Sequence, residues 1–234
     1  MKRFYKEVSI APADGGFAVL LDGKPVKTPA RSALVLPTEE LAQRIAAEWR
    51  GQGDTITAVS MPLLRLANTV IDGVAANREA VIDAILRFGE NDLLCYRAHQ
   101  PLDLAARQRE GWDPFIAWAR LRWSAQMRIA EGLGHVDQAP DTLAALREAM
   151  TGYDAFTLGG LHVIASITGS LVLGLAVVEG HTTAVHAFQM SRIDETYQAE
   201  KWGEDAEAVK RTTNLAHELD KAFELIAAVH QESR

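Results

Sequence analysis

The chain has 234 residues, enough to bury roughly 70% of its unfolded surface in a core, and 48% hydrophobic with 24% charged residues excludes disordered and fibrous classes. Its 24 basic against 31 acidic side chains leave a net charge of −7, so no dominant basic surface exists for a nucleic-acid backbone. Cys95 is the single cysteine, which rules out an intrachain disulfide and a cysteine-built zinc site.

Taken in chain order, the first sixty residues have a short-strand texture. Apolar runs at Phe4–Ile10, Phe17–Leu21, Pro25–Thr28 and Ala33–Leu36 are separated by Gly15-Gly16, Asp22-Gly23 and Pro29-Ala30-Arg31. Asp-Gly between apolar runs predicts a two-residue hairpin, because the favoured turn needs positive φ at both central positions. Thr38 then caps a helix running to about Arg50, with Gly51 and Gly53 stopping it. Beyond Met61 the pattern is helical. Asn77 opens a helix with Val81, Ile85 and Phe88 on one face, and Gly89 ends it. Trp112-Asp113-Pro114 predicts a helix start, a carboxylate cap followed by proline in the first turn. Ala155–Val178 carries no charge and is long enough to cross a bilayer, but its serines, threonines and glycines, flanked by Asp154 and Glu179, favour a buried central helix over stable membrane insertion. A further helix is expected from Thr182 or Thr183 to Trp202, closed by Gly203. The last, from near Asp205, carries Val209, Thr212, Ala216, Leu219, Phe223, Ile226 and His230 as one stripe. The fold class expected is α+β: a small antiparallel β domain with one helix over residues 1–60, then a helical domain over 61–234.

Enzyme motifs are missing. There is no Walker-type phosphate loop and no Gly-x-Ser-x-Gly elbow, and His217-Glu218 lacks the second histidine one turn later that a zinc hydrolase needs. His181 and His186 stand five apart, about 140° around a helix, poor geometry for one metal. No metal and no cofactor are expected. Cys95, set in Asp92-Leu93-Leu94-Cys95-Tyr96, reads as a small core hydrophobe. What stands out is an acidic, aromatic segment with Asp194, Glu195, Tyr197, Glu200, Trp202 and Asp205. Ile193, Tyr197 and Glu200 share a narrow sector of a helix, and a carboxylate on a stripe with Ile and Tyr is unlike a plain solvated face. Glu200 is read as an intramolecular ion pair, a buried or catalytic acid, or part of a contact surface; Asp205 reads first as an N-cap.

As a whole the string resembles one family. The residues that carry the likeness are Arg3-Phe4-Tyr5-Lys6-Glu7-Val8, Leu21 through Pro29, Leu36-Pro37-Thr38, Glu48-Trp49, Met61-Pro62-Leu63, Leu66-Ala67-Asn68-Thr69, Asp92 through Arg97, Trp112-Asp113-Pro114, Ser170 through Leu173, and the segment around Tyr197, Glu200, Trp202-Gly203 and Asp205. Over about residues 3–225 these resemble the assembly chaperones of the alpha subunit of F1-ATPase, mitochondrial proteins with bacterial relatives. The resemblance implies a non-enzyme that binds the unassembled alpha subunit, masks its aggregation-prone beta-facing surface and yields it to the beta subunit. It implies that the functional acids are Glu200 and Asp205, here joined as partner-binding residues by Trp202 or Tyr197 as an aromatic anchor and by Asp194 and Glu195. It also implies a cytoplasmic bacterial member, since no import extension precedes Arg3, against a mitochondrial matrix location for eukaryotic relatives. A hydrolase using Glu200 and Asp205 as an acid–base pair in an interdomain cleft is the competing expectation.

Overall fold

Asp22 and Gly23 take positive φ, 47° and 78°, and turn the chain between paired Leu21 and Lys24, as the dipeptide predicts. The computed structural model describes residues 1–132 and 134–230. Strands β1 (Val8–Ala13) and β2 (Gly16–Leu21) pair antiparallel from Val8↔Leu21 to Ala13↔Gly16; the short β3 (Lys24–Pro25) and β4 (Val35–Leu36) both pair with β2. Gly16 has a reason beyond its φ of 152°: a Cβ there would stand 2.1 Å from the Leu36 carbonyl oxygen.

Helix α1 (Glu39–Arg50) covers this sheet, presenting Leu41, Ala42, Ile45, Ala46 and Trp49 to a core that also holds Val19, Leu34 and Leu36. Thr38 caps it, accepting a hydrogen bond from the Leu41 amide at 3.2 Å while its own hydroxyl donates to the Ala228 carbonyl at 2.7 Å. Helix α2 (Pro62–Thr69) has no local cap. Glu48 serves instead, its Oε1 and Oε2 accepting from the Leu63 and Leu64 amides at 2.8 and 2.9 Å. A wider π-type turn, Val70–Val74, extends α2.

The remaining elements are α3 (Arg78–Glu90), a single turn at Leu93–Cys95, β5 (Tyr96–Arg97), α4 (Leu102–Trp123), β6 (Ala130–Glu131, parallel to β5), α5 (Pro140–Ala149), α6 (Ala155–Thr168), α7 (Leu171–Val178), α8 (Ala184–Ser191), α9 (Ile193–Trp202) and α10 (Ala206–His230). The chain forms two compact units. Among the described residues, the first joins Met1–Arg78 to Asp154–Gly160 and to the chain from Lys221 to His230; the second lies within Glu79–Tyr153 and Leu161–Asp220. In the first, a Cβ on Gly160 would come within 2.5 Å of Ile226, so α6 and the end of α10 touch where only glycine fits. In the second, α7 is buried from Leu171 to Val177 and packs against α4 and α8. The α+β class, with an antiparallel sheet leading a mostly helical chain, is as expected.

Three sequence expectations are corrected. Trp112-Asp113-Pro114 does not start a helix; it lies inside α4, which begins at Leu102. Its buried stripe of Ala105, Gln108, Trp112, Phe115 and Ala119 runs unbroken past the proline, while Asp113 pairs with buried Arg97 at 2.9 Å instead of capping. The uncharged stretch from Ala155 is two helices, broken at Gly169 with φ 68° and restarted by Ser170, whose hydroxyl accepts from the Leu173 amide. No helix among the described residues is long and apolar enough to cross a membrane. The helix expected from Thr182 or Thr183 to Trp202 is also two, with Thr183 capping α8 and a break at Arg192.

Candidate functional site

Helix α9 lies against the N-terminal half of α4, and polar contacts run along the seam. Four residues of α9 each meet a partner on α4. Asp194 accepts from the Nε2 of buried Gln108 at 2.6 Å, and the Tyr197 hydroxyl donates to Asp103 at 2.8 Å. Glu200 pairs with Arg107 at 2.7 Å, both side chains about half exposed at 46% and 45%. Lys201 adds a 3.4 Å contact to Asp103. The stripe of Ile193, Tyr197 and Glu200 is therefore the face that α9 turns to α4. Of the readings of Glu200 left open above, the intramolecular ion pair is present.

Tyr197 is the buried centre of this seam, 4% exposed, with the Arg107 guanidinium 5.3 Å and the Lys201 ammonium 5.1 Å from its ring centre. Burial and the neighbouring Asp103 carboxylate push its phenol above the ordinary range. The same hydrogen bond, reinforced by Lys201, holds Asp103 below the usual carboxylate range. Gln108 ties the seam inward, accepting from the Ala98 amide at 2.7 Å while its own carbonyl accepts from Arg97 at 3.1 Å.

Beyond Trp202 the chain turns at Gly203, φ 90°, and Asp205 caps α10, its Oδ2 accepting from the Ala208 amide at 3.0 Å. This turn opens a groove of about 620 Å³ between α9 and α10. Glu195, Glu200, Glu204 and Asp205 give it an acidic rim, and Trp202, Val209 and Thr212 line it as well. Trp202 is 78% exposed and Val209 45%. Residues 206–214 of α10 are exposed throughout, so the stripe expected on this helix packs only from Leu219 onward.

Of the six residues singled out in the sequence, the structure brings Glu195, Glu200, Trp202 and Asp205 together on this groove. Tyr197 is buried against α4 and does not line the groove. Asp194 faces a separate cavity of about 440 Å³ bordered by Trp112 and Ser191. Glu195 is held by Arg192 at 2.8 Å. Sequence reasoning missed Arg107, Asp103 and Gln108, which stand more than eighty positions upstream in the part of α4 that precedes the helix start expected at Trp112-Asp113-Pro114. A second groove of about 870 Å³ adjoins, sharing Arg192, Thr196 and Thr212 and lined by Phe115, Phe188, Met190 and Ile193. Among the described residues no cluster of three His, Cys, Asp or Glu side chains could hold a metal ion. Cys95 is fully buried, and burial pushes its thiol well above its usual range.

The chain matches a known family and several solved structures. Residues 2–120 match the family described as ATP12 chaperone protein. The chain is 23% identical over 232 residues to "Protein atp12, mitochondrial" of Schizosaccharomyces pombe, covering 94% of this chain and 77% of that protein. It is 41% identical to the crystal structure of Atp12 from Paracoccus denitrificans, with a TM-score of 0.93 over 97% of this chain and 98% of that one. A structure from Agrobacterium tumefaciens is likewise 41% identical, with a TM-score of 0.94 over 97% of this chain and 86% of that one. With half its length matched to the family and a solved relative at 41% identity along nearly all of it, the chain belongs to the ATP12 chaperone family.

Proposed function

We propose that this chaperone holds the unassembled alpha subunit of F1-ATPase, covers the surface that the beta subunit will occupy, and gives it up when the beta subunit arrives. The observation that carries this reading is Trp202, a large aromatic left 78% exposed beside a groove rimmed by four carboxylates, in a chain of a chaperone family. Exposed tryptophans and concentrated charge are what a protein-binding surface uses, the first for contact energy and the second for steering and selectivity. Without an ATP-driven step the mechanism is one of mass action. The chaperone occupies an aggregation-prone face, and the beta subunit displaces it by binding that face more tightly. Likeness to the bacterial relatives suggests work in the cytoplasm. The hydrolase reading gains no support, since Glu200 is paired with Arg107 and Asp205 caps a helix.

The test is co-expression of the alpha subunit with and without this chain. The expected outcome is a soluble one-to-one complex by size exclusion, from which added beta subunit releases the alpha subunit. Glu200→Lys, which sets a like charge beside Arg107 and the client's cation, should abolish the complex, whereas Glu200→Gln should only weaken it. No rescue of alpha-subunit solubility and no complex would reject the proposal.

A further inference from the structure

Asp194, Glu195 and Glu200 on α9 each already hold a donor from their own chain, and the three arrangements are not equivalent. Gln108, on Asp194, is buried and holds the Ala98 amide as well. Arg192, on Glu195, also donates to the Ile167 carbonyl at 2.5 Å. Arg107 has no such second anchor among the described residues. Among these its contacts are the 2.7 Å ion pair to Glu200 and the face of the Tyr197 ring at 5.3 Å, and its side chain is 45% exposed.

We infer that Arg107 is the chain's own stand-in for a client cation, that Glu200 and Tyr197 form a notch selective for a guanidinium, and that a client arginine enters by displacing Arg107. This rests on Glu200 facing the client. Its physical basis is what the notch already does. One planar guanidinium there makes a charge-assisted hydrogen bond to a carboxylate and lies over an aromatic face at once, a pairing an ammonium satisfies only as a point charge. Lys201 does approach the same ring at 5.1 Å, but its charge is directed to Asp103 at 3.4 Å, which leaves Glu200 to Arg107.

The pair is easy to open. With both partners about half exposed, an ion pair of this kind is screened by water and holds only weakly. Glu200 also borders the groove that holds Trp202, so a client arginine reaching it would bring the adjoining client surface onto the exposed indole. Replacing one guanidinium by another changes little electrostatic energy. Specificity is thereby gained without tight binding, as a cover that must later be surrendered requires.

The experiment is a titration of purified alpha subunit into the unaltered chain, Arg107→Gln, Glu200→Gln and the double variant, in 50 mM and 0.5 M NaCl, with circular dichroism confirming that each is folded. Arg107→Gln should bind about two- to fivefold more tightly at low salt, the range expected from releasing one exposed ion pair. The gain should vanish in the Glu200→Gln background and shrink at high salt. N-acetylarginine amide should dissociate the Arg107→Gln complex at lower concentration than N-acetyllysine amide. Unchanged or weaker binding by Arg107→Gln, an equal gain with Glu200→Gln present, or equal potency of the two amides overturns the inference. If the unaltered chain fails to bind alpha subunit at all, the functional reading beneath it falls instead, a result distinct from binding that ignores residue 107.

Discussion

Single side chains here often do work that their neighbours in sequence do not announce. Asp92 is completely buried, its Oδ1 accepting from the Leu94 amide and its Oδ2 from the Val172 amide, each at 3.0 Å, so one carboxylate anchors the start of α7 and the turn before β5. Those bonds favour the charged form, but burial outweighs them and raises its pKa from 3.8 to about 6. The sign follows. A carboxyl raised on folding contributes stability that is fully present below its unfolded pKa and is lost as pH climbs through the folded value. From about pH 4 to 7, the stability of the unaltered chain should therefore fall relative to Asp92→Asn by up to about 3 kcal/mol. Urea melts of both proteins across that range check it, and a constant difference between them would refute it. Cys95 makes a simpler case. Buried and with its thiol pushed up, it should react with a thiol reagent at pH 8 only as fast as the protein unfolds, and immediately in guanidinium chloride. Its inertness was legible from its apolar neighbours, Leu93 and Leu94; the long-range role of Asp92 was not, because Val172 is eighty residues away.

Local signals decide most helix ends, and they fail where a tertiary contact competes. Thr38 and Asp205 cap their helices as the sequence suggests, and Thr183 is the one of two candidate threonines that caps α8. The signal at Trp112-Asp113-Pro114 was equally good and was overridden, because the buried stripe of α4 continues through it and Arg97 claims the would-be cap. At α2 the cap comes from α1 instead. Glu48→Gln leaves one carbonyl oxygen for the two amides of Leu63 and Leu64 and turns an NH2 toward the other, which should cost about 1–3 kcal/mol, read as a thermal midpoint lower by several degrees. Close helix contacts give a paired prediction. Gly160→Ala places a Cβ 2.5 Å from Ile226 and 3.0 Å from the Ala222 carbonyl, and should destabilise by about 1–3 kcal/mol. Gly73→Ala, with open space around the new carbon, should be neutral or slightly stabilising. Equal thermal midpoints for the two would count against the packing argument.

Over the whole chain, distant segments complete the first compact unit. Ala222, Leu225, Ile226 and Ala228 of α10 are buried there, and the Thr38 hydroxyl donates to the Ala228 carbonyl. Full burial of one leucine or isoleucine is worth about 1.5–3 kcal/mol, so losing this turn removes a large share of the roughly 5–15 kcal/mol that holds a domain folded. A chain ended after Asp220 should therefore be insoluble, or should bind an apolar dye and melt without cooperativity. A truncated protein with an unchanged, sharp thermal transition would show that the last turns of α10 are dispensable. The first half of the same helix behaves differently: residues 206–214 are exposed beside Trp202, where the proposed client would lie.

By itself the amino-acid sequence determined the α+β class, the Asp22-Gly23 hairpin, the caps at Thr38 and Asp205, and the prominence of the segment from Asp194 to Asp205. Each of these depends on turn chemistry, capping or periodicity within a few residues. Only the tertiary structure decided that Glu200 belongs to Arg107, that Tyr197 is buried against α4 while Trp202 lines the groove exposed, and that the uncharged stretch breaks at Gly169. A side chain's partner and its access to water are set by which distant elements the core brings together, and the spacing of residues along one helix carries no record of that choice.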